Sequence, residues 1–141
     1  MTAIELAVKR SEAQHRGELR FAVEGALDTR ALLAGQSSRD RALDVFSLLR
    51  VWDTEHNTGV LIYVLLADRS VEIVADRGIH ARVGEGEWSR ICHAMESDFA
   101  QARFEQGALQ GIDAVSRCLA AHFPASHATP RNELPDTPVF L

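Results

Sequence analysis

Residues 59–66, GVLIYVLL, restrict the possible folds more than any other stretch of this chain. A strand with one wet face alternates apolar and polar side chains, whereas an unbroken apolar run of this length is a strand covered on both sides. It is also well short of the roughly 20 residues needed to cross a bilayer as a helix. The chain therefore needs a sheet with helices on each face, and these residues belong at its centre.

The neighbouring segments supply the other layers. Thr2 and Glu5 have capping-box spacing, and Ile4, Ala7, Val8 and Ser11 follow at helical intervals, which predicts a first helix ending near Arg16, stopped by Gly17. Leu19, Phe21 and Val23 alternate with charged residues and predict a strand. Ser37 can cap a helix carrying Ala42, Val45, Phe46 and Leu49 and ending near Val51. Beyond the central run, residues 67–70 make a turn and residues 71–75 a returning antiparallel strand. Trp88, Ile91, Cys92, Met95 and Phe99 trace one helical stripe, and Ile112, Val115, Leu119 and Phe123 another. All four prolines fall from Pro124 onward, so residues 1–123 read as one domain and 124–141 as an extended or disordered tail. The order implies a three-layer α/β/α sandwich on a small mixed sheet of three or four strands.

Charge and cysteine usage exclude several functions. With a net charge of -5 and a pI near 5.6, the chain lacks the electrostatic attraction to phosphate on which nucleic-acid binding depends. Its first residues lack the basic and apolar regions of a secretion signal, which predicts a cytoplasmic location. Cys92 and Cys118 form no CxxC pair and read as small buried hydrophobes. GxSxG, P-loop and HExxH patterns are absent, and Gly84-Glu85-Gly86 reads as a helix start.

One polar cluster stands out. Directly before the apolar run the chain reads DTEHNT, residues 53–58. If the first two strands are parallel neighbours joined right-handedly, both begin on one sheet edge, and the returning strand ends there too. That topology brings Glu18, Asn57 and Asp76 together beneath Asp53 and Glu55. Clustered carboxylates repel unless a cation or proton neutralises them, and oxygen ligands suit calcium, magnesium or manganese. The same residue types also serve as ordinary helix-to-strand connectors that satisfy local backbone groups. The pattern is not an EF-hand, because Gly59 falls one place late and Val64 occupies the closing position. Trp52 reads as an anchor of this loop to the core. Arg77 and Arg82 read as solvated arginines that could also hold an anion at this edge.

Several of these residues resemble the TPM domain family. They are Glu18-Leu19-Arg20-Phe21 after a glycine, Asn57-Thr58-Gly59-Val60-Leu61-Ile62, Val71-Glu72-Ile73 leading to Arg77-Gly78-Ile79, and Phe99 with Phe104, Gly107, Gly111 and Ile112. The resemblance implies an α/β/α sandwich and a divalent ion, calcium first and magnesium or manganese next, at the loop before the central strand. Asp53, Glu55, Asn57, Asp76 and Glu18 are then the metal set. The leading expectation is a soluble, non-enzymatic module that binds the cation and a partner protein, at a membrane-associated complex. Because some plant members are described as acid phosphatases, the alternative is a metal-dependent phosphomonoesterase with His56 as general acid or base and Arg77 holding the phosphate.

Overall fold

The apolar run becomes a central strand of a mixed sheet. The computed structural model describes residues 2–54, 57–124 and 134–141. In chain order its elements are α1 (Ala3–Glu12), β1 (Glu18–Glu24), α2 (Thr29–Leu33), α3 (Ser38–Leu48), β2 (Gly59–Leu65), β3 (Ser70–Ala75), α4 (Arg77–Val83), α5 (Glu85–Ala100), α6 (Phe104–His122) and β4 (Val139–Phe140). The sheet order is β3-β2-β1-β4. β1 and β2 are parallel, with Glu18 opposite Gly59 and Glu24 opposite Leu65, while β3 returns antiparallel with Ala75 opposite Val60.

Every residue of β2 is buried, because each of its two faces meets a separate core. On one face Val60, Ile62 and Val64 join Leu19 and Phe21 against Val8, Met95, Ile112 and Leu119 from α1, α5 and α6. On the other, Leu61, Tyr63 and Leu65 pack with Ala22 and Val74 against Ala42 and Val45 of α3. The fold is thus the expected α/β/α sandwich. Both predicted stripes on the last two long helices are buried. Thr2 and Ser37 act as the predicted caps, and Asp40 completes a capping box with Ser37.

Two close approaches hold the layers together. A Cβ at Gly59 would collide with the carbonyl oxygen of Val51, so the connection from α3 passes directly against the start of β2. A Cβ at Gly107 would lie 2.8 Å from the Phe99 ring, and one at Gly111 would run into Met95. The glycine spacing in the last helix therefore lets α6 pack tightly on α5.

The structure refines the sequence reading at several places. α1 ends at Glu12 rather than near Arg16, because His15 turns inward, accepts the Gly17 N–H on Nδ1 at 3.0 Å and lies 2.8 Å from Ser11 Oγ. Two short helices, α2 and α4, begin where Asp28 and Asp76 cap stretches too brief to show a period. The predicted helix end near Val51 falls at Leu48, after which turns carry the chain to the loop. Residues 134–141 are extended and packed: β4 pairs with β1, Leu134 enters the second core, and Arg20 donates to the carbonyls of Pro135 and Thr137 at 2.8 Å each.

Replacing Gly59 with alanine is expected to lower stability by about 3 kcal/mol, because the obstacle is backbone. Gly111→Ala is expected to cost less, about 1 kcal/mol, because the Met95 side chain can move aside. Urea unfolding of the two variants checks both the sizes and their order.

Candidate functional site

The predicted convergence of three strand ends is present in the backbone. The Glu18 N–H donates to the Thr58 carbonyl at 2.9 Å, and the Asp76 N–H donates to the Gly59 carbonyl at 2.8 Å. Glu18, Gly59 and Asp76 consequently stand in a row along the amino edge of the parallel pair. Their side chains take different directions.

Asp76 is extended and caps α4, with Oδ1 accepting the Arg77 N–H at 2.8 Å. Its other oxygen, Oδ2, is buried and has no hydrogen-bond partner among the described residues. Asn57 is exposed in the left-handed region, at φ 55°, and Thr54 Oγ1 accepts the Thr58 N–H at 2.9 Å just behind it. Asp53 is exposed and pairs with Arg50 at 3.0 Å. Trp52 is not the core anchor expected from sequence; it is 47% exposed and carries the Arg50 guanidinium 5.5 Å from its ring centre, while Val51 is fully buried in its place. Arg77 is exposed, and Arg82 lies over the Phe123 ring at 5.2 Å. Glu55 and His56 lie outside the described residues. Among the described residues no three His, Cys, Asp or Glu side chains stand close enough to hold a metal ion together.

Glu18 belongs to a second acidic group. It is only 7% exposed, and its carboxyl lies near that of Glu12 at the end of α1, which Asp136 from the C-terminal segment also approaches. Glu12 Oε2 also accepts the Leu19 N–H at 3.0 Å. Burial, then the neighbouring Glu18 and Asp136 carboxyls, push the Glu12 carboxyl well above the usual carboxylate range. Carboxyls from α1, β1 and the C-terminal segment thus influence one another at one corner of the sheet. The sequence signal for Glu12 was its place four residues after buried Val8 on the inward side of α1.

Other titratable groups serve the fold. Glu24 accepts both Arg41 Nε and Nη2, at 2.8 and 3.1 Å, and the Tyr63 hydroxyl at 2.6 Å; the Arg41 contact is the main reason its pKa is lowered. Burial pushes the Cys92 thiol up to about 12, aided by Glu72 and Glu96, so this thiol is not a nucleophile at neutral pH. Burial lowers His15 from 6.5 to about 4, partly opposed by its contact with Gly17.

A four-stranded mixed sheet between helical layers, with a polar loop at its amino edge, defines a small α/β/α module. The chain belongs to the TPM domain family, which matches residues 1–118. Among solved structures it is similar to the BA42 protein from the psychrophilic bacterium Bizionia argentinensis, determined by NMR. That match has 33% identity over 98% of this chain and 90% of that one, with a TM-score of 0.84. It also shares its fold with the N-terminal domain of a protein from P. gingivalis, at 18% identity, 90% and 82% coverage and a TM-score of 0.70. No curated protein matches the chain.

Glu12 and His15 act oppositely on stability. Folded Glu12 keeps a proton that the unfolded chain loses above its ordinary value of 4.5, so its contribution falls as pH rises. His15 gains a proton on unfolding between about 4 and 6.5, so its contribution rises with pH over that window. The two are expected to offset each other between 4.5 and 6.5, with stability falling by about 1 kcal/mol per pH unit above 6.5. Urea unfolding across this range, repeated with Glu12→Gln, is expected to remove the fall and reveal the rising His15 limb.

Proposed function

We propose that this TPM domain is a non-enzymatic module that binds a divalent cation, calcium first and magnesium or manganese next, and that the bound ion orders a loop presented to a partner protein. The observation that carries the reading is Asp76 Oδ2, a buried carboxylate oxygen with no donor among the described residues, at the edge where the polar loop enters the sheet. Leaving such an oxygen unsatisfied costs about 1–3 kcal/mol or more, and a cation or proton relieves the cost. Asp53 and Asn57 add exposed oxygen ligands from the same loop, and Glu55 continues their alternation in sequence. Carboxylate and amide oxygens suit hard ions rather than zinc. Glu18, engaged with Glu12, is left out of this ligand set.

The partner reading rests on Trp52. A half-exposed indole stacked by arginine beside an ion-ordered loop has the chemistry of an interface anchor, since Trp and Arg dominate binding energy at protein interfaces. The module would work from the cytoplasm and reach a membrane-associated complex through that partner. Among the described residues no helix is long and apolar enough to cross a membrane.

Calorimetric titration of chelator-stripped protein with calcium is expected to show saturable binding. Asp76→Asn should weaken it by about tenfold or more, and Asp53→Asn by less, because Asp53 already has Arg50. No heat with calcium, magnesium or manganese would overturn the reading. Phosphomonoester turnover by the loaded protein, lost in Asp76→Asn, would replace it with a hydrolase that uses His56 and Arg77.

A further inference from the structure

The opposite end of the sheet carries a feature of contrasting chemistry. At the carboxyl ends of β1 and β2, a cavity of about 400 Å³ opens between the starts of α1 and α6 and the end of α5. Phe21, Val23, Val64, Leu66, Phe99 and Phe104 form most of its wall, with Ile4 and Ala108 between them. Among the described residues only Thr2 and Glu105 bring polar side chains, and the Thr2 hydroxyl already accepts the Glu5 N–H at 3.1 Å. Leu66 and Phe104 are each 40% exposed. Open α/β sheets bind ligands beyond the carboxyl ends of their parallel strands, and about 300–1,000 Å³ is the usual size of a small-molecule site.

We propose that this cavity binds the aliphatic chain of a free single-chain amphiphile, such as a medium-chain fatty acid, with its polar head left at the open mouth. The lining determines the class. A water needs two to four polar partners, which this wall does not offer, so the space is poorly suited to ordered solvent. A peptide would bring backbone N–H and C=O groups that the wall could not satisfy, whereas a hydrocarbon chain brings none. The Phe99 and Phe104 rings, stacked 5.5 Å apart at 27°, give one wall an aromatic surface. The cavity lies at the other edge of the sheet from Asp76, so ligand binding here does not depend on the proposed ion.

The test is a titration of uniformly ¹⁵N-labelled full chain with dodecanoate below its micelle concentration, read by amide chemical shifts. Saturable shifts confined to residues around Val23, Leu66 and Phe104 are expected, weakened by about tenfold or more in Ala108→Leu, which fills the cavity. If Ala108→Leu loses its near-ultraviolet circular dichroism signal, Leu66→Gln at the exposed mouth takes its place and must also weaken binding. Absent saturation, shifts spread over the whole surface, or binding unchanged in the folded variant would overturn the proposal. Sedimentation with phosphatidylcholine vesicles in the absence of dodecanoate binding would also overturn it, assigning the surface to a bilayer instead of a free chain.

Discussion

Covering both faces of β2 is the condition on which the rest of the structure depends. A strand made wholly of apolar residues cannot leave either side to water, so α1, α5 and α6 cover one face and α3 covers the other. The same demand explains the tight passage of Val51 over Gly59, where the chain leaves one layer and enters the sheet with no room for a side chain. It also places β1 and β3 on either side of β2, so that all three have an end at the polar edge.

The parallel pair consequently has chemically different ends. At its amino edge the N–H of Glu18 and the N–H of Asp76 are satisfied by the loop and by Gly59, which fixes the backbone while Asp76 Oδ2 stays unmatched among the described residues. At its carboxyl edge, side chains from three helices meet the strand ends without closing over them, and a mostly apolar cavity results. A sheet between two such ends would let the proposed ion and the proposed apolar ligand be held independently. Of the two catalytic candidates, Arg77 is solvent-exposed and His56 lies outside the described residues, while Cys92, read from sequence as a buried hydrophobe, is kept protonated by burial.

Much of this architecture was legible in the sequence because it is written in periodicity. The stripe from Trp88 to Phe99 and the unbroken run in β2 each report burial directly, and the Thr2 and Ser37 caps mark real helix starts. Short or distant features were harder to read. α2 and α4 have too few turns for a period, and β4 is set by pairing with β1 from the far end of the chain. Val51 fills the core where Trp52 was expected to, because the turn after α3 points the smaller residue inward. Topology correctly aligned Glu18 with Asp76 along one edge but could not reveal that the Glu18 carboxyl would lie near Glu12 in a separate corner. Side-chain grouping across a sheet depends on which face each residue takes and on partners remote in sequence, and neither is encoded by local spacing.

The most direct test of the polar edge as an ion site is to map calcium binding residue by residue, by adding calcium to chelator-stripped ¹⁵N-labelled protein and following its amide resonances. The expected result is a saturable set of shifts at Asp53, Asn57, Thr58, Gly59, Asp76 and Arg77. Shifts centred instead on Glu12, Glu18 and Asp136, or no shifts at saturating calcium, would contradict it.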